Sequence, residues 1–318
     1  MESRKTVSLI IPCFNEQDSL PFFYKEATSV MQGLNYNYEI LLVDDGSTDK
    51  TLDVMKALAK KDEHIKYYSL SRNFGKEAAM YAGFCNAEGD YITVMDADMQ
   101  DPPSLLPEMI KILESGEYDS VATRRVSRQG EPRLRSWFAR QFYKIINIIS
   151  DTNIVDGARD FRLMRREMVD SIIKMSEYNR FSKGIFGWVG FRTYWLTFEN
   201  VERVAGVTKW SFWKLFKYAI DGMMDFSAFP AYISYIFGIP MTVISTIILI
   251  INIILKYAVH VNISDLAFII CAVVLIGGIQ LFCLGVAGQY IAKAYLETKH
   301  RPHYIISETN TENAKTVE

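Results

Sequence analysis

The chain has 318 residues, 49% hydrophobic and 23% charged, with a formal net charge of −2 at pH 7. A balance so close to neutral removes the general electrostatic reason to expect a nucleic-acid partner. Its cysteines, Cys13, Cys85, Cys271 and Cys283, have no pairwise metal or redox spacing, which argues against a disulfide scaffold or a zinc module.

The first part of the chain alternates short apolar runs with helical patterns. Val7-Ser-Leu-Ile-Ile11 predicts a strand, and residues 18–33 a helix that stops at Gly33. Glu39-Ile-Leu-Leu-Val43 is the next strand, followed by a helix opened by Ser47-Thr-Asp-Lys and running to about Lys61. Residues 65–69 predict a strand, 76–86 a helix, 91–95 a strand, 103–115 a helix and 120–123 a short strand. Strands separated by helices of this length imply right-handed crossovers and a mostly parallel sheet. Residues 7–14 are too short and too interrupted for a signal peptide, so none is expected.

Beyond residue 123 the pattern changes. Six arginines lie between residues 124 and 140, and residues 137–149 predict an amphipathic helix. Residues 209–229 mix aromatics with Lys209, Lys214 and Lys217, which suits a helix lying on an anionic membrane surface. Residues 226–255 and 266–292 contain no Asp, Glu, Lys or Arg, and each run exceeds the ~20 residues needed to cross a bilayer. They predict a transmembrane hairpin at about 230–256 and 266–292. Lysines before it, and Lys293, Lys299 and Arg301 after it, place its outer ends on the cytoplasmic side. The expectation is a multi-pass plasma-membrane protein with residues 1–208 as a cytoplasmic catalytic domain and both termini cytoplasmic. The tail 294–318 is polar after Tyr304 and is expected to be disordered.

Four strand ends finish in polar residues: Pro12-Cys-Phe-Asn15-Glu16, Asp44-Asp45-Gly46-Ser47-Thr48-Asp49, Arg72-Asn73-Phe74-Gly75-Lys76 and Asp96-Ala97-Asp98-Met99-Gln100. In a parallel sheet such ends line one crevice. Acids there can bind ribose, base edges or a metal, while Lys76 and the arginines can meet phosphate. Asp96 and Asp98, spaced i, i+2, fall on one side of an extended backbone. An oxygen-rich pair of this kind, completed by substrate phosphates, suits Mg²⁺ or Mn²⁺. An Asp-rich turn capping the helix that begins at Pro102-Pro103 is the competing reading. Neither G-x-G-x-x-G nor G-x-x-x-x-G-K-[ST] is present, which disfavours a dinucleotide-binding dehydrogenase and a P-loop NTPase.

On these segments the chain resembles glycosyltransferase family 2, the GT-A fold. The resemblance rests on Ile10-Ile-Pro-Cys-Phe-Asn-Glu16, Val43-Asp-Asp-Gly-Ser-Thr-Asp49, Arg72-Asn-Phe-Gly-Lys76 and Met95-Asp-Ala-Asp-Met-Gln-Asp-Pro-Pro103. Asp160-Phe-Arg-Leu163, Arg203-Val-Ala-Gly-Val-Thr-Lys209-Trp210 and the two apolar runs narrow it to polyprenyl-phosphate glycosyltransferases, and it spans residues 5–300. It implies that Pro12, Asn15, Glu16 and Asp44 surround the nucleotide, with Asp45, Lys76, Asp96, Ala97 and Lys209 completing the nucleotide-sugar set. It further implies that Asp96, Asp98 and Gln100 hold the divalent metal and that Arg124, Arg135 and Arg140 meet the acceptor phosphate. Asp160, Asp98 and Arg203 form the implied catalytic set. Two positions depart from the family pattern, Arg159 directly before Asp160 and Thr208 before Lys209. The Gln-x-x-Arg-Trp mark of processive synthases is absent.

The implied reaction is inverting transfer of a monosaccharide, from UDP-glucose or UDP-N-acetylglucosamine, to undecaprenyl phosphate. GDP-mannose with dolichyl phosphate is the enzymatic alternative, and a non-catalytic nucleotide-sugar-binding scaffold the other. The implied partners are a nucleotide sugar, a lipid phosphate and a membrane, with homo-oligomerisation left open. Because a phosphate acceptor is already ionised, Asp160 is expected to orient Arg159 and Arg162 as readily as to accept a proton.

Overall fold

A computed structural model describes residues 4–125, 155, 157–198, 240, 247, 251, 265–312, 314 and 315. The first half runs β1 (Thr6–Cys13), α1 (Leu20–Gln32), β2 (Asn37–Asp44), α2 (Thr51–Ala59), β3 (Ile65–Leu70), α3 (Lys76–Asn86) and β4 (Tyr91–Val94). A 3₁₀ turn (Pro103–Leu105) leads into α4 (Leu106–Glu114) and β5 (Ser120–Arg125). Then come β6 (Ala158–Arg165), α5 (Arg166–Lys174), α6 (Ser182–Trp188), β7 (Thr193–Phe198), a long helix α7 (Asp265–Thr298) and β8 (Ile306–Thr309).

All eight strands join one sheet in the order β7-β5-β6-β4-β1-β2-β3-β8. The pairs β1–β2, β1–β4, β2–β3 and β5–β7 are parallel, whereas β4–β6, β5–β6 and β3–β8 are antiparallel. The central strands are buried on both faces, which is why they read in sequence as continuous apolar runs. Val7, Leu9 and Ile11 face α1, α2 and α4, while Ile10, Leu41 and Val43 face α3, α5 and α6. Phe23, Met55 and Leu106 on the first side and Phe84 and Met168 on the second are almost fully buried. Each such side chain contributes roughly 1.5–3 kcal/mol of burial free energy. On α3, Gly83 allows the helix to lie directly against β1, because a Cβ there would collide with the Ile10 side chain.

The chain steps outward from β1 to β2 to β3 and then returns to the other side of β1 with β4. Such a reversal opens a crevice beyond the carboxyl ends of the strands.

The structure departs from the sequence expectation in the C-terminal tail and in the membrane assignment. The described residues after Tyr304 are placed on the sheet: β8 pairs antiparallel with β3, and Tyr304 itself is only 1% exposed. Lys56 Nζ lies 2.7 Å from Glu308 Oε1, and the Asn310 side chain takes the Tyr67 N–H (2.8 Å) and donates to the Ile65 carbonyl (2.9 Å). Polarity misled because an edge strand needs only one apolar anchor; its affinity for the sheet comes from backbone pairing.

The membrane assignment is the second departure. Among the described residues no helix is long and apolar enough to cross a membrane, which overturns the expected multi-pass plasma-membrane location. The expectation rested on two uncharged runs, 226–255 and 266–292, each longer than the ~20 residues a span needs. Of the first expected span only Pro240, Ile247 and Ile251 are described, and α7 carries Lys293 and Glu297 in its last turns. The helices expected at 137–149 and 209–229 lie outside the described residues.

Candidate functional site

Three loops at the carboxyl edge of β1, β2 and β3 are tied to one another through side chains. Asn15, in the left-handed region (φ 55°), donates its N–H to Ser47 Oγ (2.9 Å), and its Oδ1 accepts the Thr48 N–H (2.8 Å). The Glu16 N–H donates to Thr51 Oγ1 (2.8 Å), and the Ser19 hydroxyl donates to Glu16 Oε2 (2.5 Å). Asp44, 2% exposed, accepts the Ser47 N–H (3.1 Å) and the Ser69 hydroxyl (3.1 Å). Asp45, 3% exposed, accepts the Phe74 N–H (2.7 Å) and the Gly75 N–H (2.9 Å). Burial pushes the Asp45 carboxyl up to about 6 against those two bonds. Gly46, with φ 66°, packs against the β3–α3 loop so closely that a Cβ would sit 2.6 Å from Asn73 N. These bonds fix the start of α3, where Lys76 stands. Pro12 is in register with Val43 near the end of β1.

The second cluster sits where β4 meets β6. Val94 pairs with Arg162 in antiparallel register, and continuing that register beyond the strand end brings Asp96 opposite Asp160. Lys76 Nζ bridges them, 2.7 Å from Asp96 Oδ1 and 2.7 Å from Asp160 Oδ2. Arg159 Nε donates to Asp101 Oδ1 (2.8 Å), and its Nη2 lies 4.0 Å from Asp96 Oδ2. Asp98 Oδ1 accepts the Gln100 N–H at 3.0 Å, with Met99 left-handed between them (φ 63°), while Ala97 is buried.

Burial opposes charge on Asp160, but Lys76, Lys183 and Arg159 overcome it and hold this carboxylate well below its usual range. Lys76 is likewise desolvated, yet Asp160 and Asp96 raise its pKa above the ordinary lysine value. Burial pushes Asp101 up to about 6, with Arg159 opposing the rise and Asp96 adding to it. Arg162, 4% exposed, is pushed down to about 9 by burial, with Asp160 countering. Its guanidinium lies 3.8 Å from the Phe186 ring centroid, a cation–π contact.

Of the sequence-derived set, Lys76, Asp96 and Asp160 are thus in direct contact. Pro12, Asn15, Glu16, Asp44 and Asp45 lie on the adjoining loops, and Ala97, Asp98 and Gln100 continue from Asp96. Arg124 is exposed on β5, paired in register with Ala158, two residues before Asp160. Arg135, Arg140, Arg203 and Lys209 lie outside the described residues. The expected grip of Asp160 on Arg159 and Arg162 is replaced by its bond to Lys76, since Arg159 turns to Asp101 and Arg162 to Phe186. Sequence reading gave no role to Asp101 or Lys183. Asp101 was signalled only as a further acid in the Asp96-x-Asp98 run.

Among the described residues no group of three or more His, Cys, Asp or Glu is arranged to hold a metal ion. The hard oxygens of Asp96, Asp98 and Gln100 fit Mg²⁺ or Mn²⁺ of the kind completed by substrate phosphates. Lys76 already lies against Asp96, so the negative charge of that carboxylate is compensated by the ammonium.

Comparison with known proteins matches residues 8–173 to the family model described as glycosyl transferase family 2. A Bacillus subtilis (strain 168) protein named as a glycosyltransferase, CsbB, is 42% identical over 307 residues, covering 96% of this chain and 93% of its own. The bactoprenol glucosyl transferase of Shigella phage SfV is 38% identical, with 94% and 97% covered. Among solved structures, mannosyl-3-phosphoglycerate synthase from Rubrobacter xylanophilus aligns at a TM-score of 0.49 and 18% identity, over 69% of this chain and 72% of that one.

Proposed function

The chain belongs to glycosyl transferase family 2 and is a glycosyltransferase, and from that premise we propose that it moves glucose or N-acetylglucosamine from a UDP-sugar to undecaprenyl phosphate. The observation that carries the reading is Lys76, shared at 2.7 Å by Asp96 and Asp160 at the switch point of the sheet. The bactoprenol acceptor in the name of the phage relative supports the choice of lipid.

In this reading Asp96 and Asp98, with Gln100, would hold Mg²⁺ or Mn²⁺, which when bound supplies positive charge to the departing diphosphate. Lys76 exchanges one carboxylate partner for a diphosphate oxygen and neutralises charge that grows as the glycosidic bond breaks. Pro12, Asn15, Glu16, Asp44 and Asp45 shape the nucleotide side through their locked loops. Arg124, Arg135, Arg140, Arg203 and Lys209 meet the acceptor phosphate and the diphosphate. A phosphate monoester with a second pKa of about 6 is largely dianionic at neutral pH. Its oxygen therefore attacks without a general base, and in-line attack inverts the anomeric carbon. Asp160 stays ionised, holds Lys76 and orients it toward the sugar diphosphate.

The test offers the purified protein radiolabelled UDP-glucose, UDP-N-acetylglucosamine and GDP-mannose with undecaprenyl phosphate, undecaprenol or dolichyl phosphate in mixed micelles. Product is expected with a UDP-sugar and the undecaprenyl phosphate. Preference for GDP-mannose and dolichyl phosphate would replace the donor and lipid, and equal turnover of undecaprenol would overturn the phosphate acceptor.

A further inference from the structure

Arg159 directly precedes Asp160, and successive strand residues point to opposite faces. While Asp160 meets Lys76, Arg159 reaches Asp101, whose Oδ1 accepts its Nε–H at 2.8 Å and which is 1% exposed. The guanidinium is thereby anchored, and Nη2 comes to 4.0 Å from Asp96 Oδ2. That nitrogen is buried and has no hydrogen-bond partner among the described residues, and neither has Asp101 Oδ2. Asp96 therefore stands between two cations of different kinds. Lys76, on its Oδ1, is flexible and also bonded to Asp160. Arg159, on the Oδ2 side, is clamped.

We infer that Arg159, clamped by Asp101, is a positioning residue that orients the Asp96 carboxylate and so sets how strongly the site binds a divalent cation. The inference rests on the proposed function, in which Asp96 is a metal ligand. Nη2 itself presents no surface that a ligand oxygen could reach, so its nearest anion is Asp96. When Lys76 leaves Asp96 for a phosphate, a shift of about one ångström brings Asp96 Oδ2 into hydrogen-bond distance of Nη2. Asp96 then keeps its orientation at the moment its first partner is gone. Partners that orient a metal ligand in this way are typically worth 10–100-fold in metal affinity.

The sign of the effect separates positioning from plain electrostatics. Removing a positive charge beside a cation site should tighten metal binding if Arg159 acts only by its charge. Loss of positioning should weaken it. Binding of Mn²⁺ is read from the electron paramagnetic resonance signal of the free ion, titrated into full-length protein with UDP present. Arg159→Ala is expected to raise the Mn²⁺ dissociation constant about 10–100-fold, with Arg159→Lys between it and the wild type. The pair Arg159→Met and Asp101→Asn, made together, removes both charges and leaves no buried ion alone. It guards against a folding defect and is expected to weaken Mn²⁺ binding to the same extent, with UDP binding measured without metal unchanged. Unchanged or tighter Mn²⁺ binding in these variants, beside normal wild-type binding, would overturn the inference and leave the metal-dependent reading standing. A wild-type protein that binds no Mn²⁺ would remove both.

Discussion

The acids at the ends of β1 and β2 and those at the β4–β6 junction are neutralised in opposite ways. Asp44 and Asp45 are spent on backbone N–H groups of their own and a neighbouring loop and on the Ser69 hydroxyl of β3. Asp96, Asp101 and Asp160 are held by the side chains of Lys76 and Arg159. A backbone donor cannot leave without breaking the loop, so the first group builds a rigid rim. A lysine on four methylenes can trade one carboxylate for a phosphate with little rearrangement, so the second group is where charge can move. The rim positions α3, and α3 delivers the mobile cation.

The strongest test of this contrast is Lys76→Ala. It leaves Asp96 and Asp160 facing each other without their shared cation, and glycosyl transfer should fall about 10²–10³-fold in kcat. Lys76→Arg should recover part of the loss. Near-normal turnover of Lys76→Ala would mean that the junction is a structural ion pair like any other. Next comes Asp98→Ala, which should cost about 100-fold in rate and flatten the response to added Mg²⁺ or Mn²⁺. Full activity of this variant in excess chelator would remove the metal from the junction.

The rim should respond in stability instead of rate. Gly46→Ala places a Cβ in a left-handed residue against the backbone of Arg72 and Asn73. It should lower unfolding free energy by about 1–3 kcal/mol, measured by denaturant titration. A wild-type midpoint would show that the β3–α3 loop can move away freely.

The smallest effect is in pH. The folded-state pKa of Asp45 is raised to about 6 from an ordinary 3.8. The folded state therefore keeps its proton where the unfolded state has lost it, and stability from this group falls as pH rises from about 4 to 6. The stability of the wild type relative to Asp45→Asn should accordingly decrease across that window. A difference that grows with pH would mean that the Phe74 and Gly75 N–H groups outweigh burial and favour the anion.

Much of the first half was legible because its signals are local. The strands β1 to β4 are short runs rich in aliphatic and tyrosine side chains, each followed by polar residues, and their expected limits fall within about two residues of those observed. Lys76 to Asn86 was expected as a helix and is α3. The polar residues at four successive strand ends marked the crevice, because a parallel sheet sends all of them to one edge.

What tertiary structure alone decided is partnership across long separations. Asp160 looked from its neighbours as if it would hold Arg159 and Arg162. It holds Lys76 instead, because β6 runs antiparallel beside β4 and alternation turns Arg159 to the opposite face. The polar tail after Tyr304 shows no apolar period, yet it closes the edge of β3 through backbone pairs and through Asn310, which stands 243 residues from its partner Tyr67. Sequence determined which segments form strands and helices and which acids lie at strand ends, since both follow from side chains a few positions apart. Which cation meets which acid, and which edge the tail closes, followed only from the pairing of distant strands, where hydrogen-bond register outweighs any preference written locally.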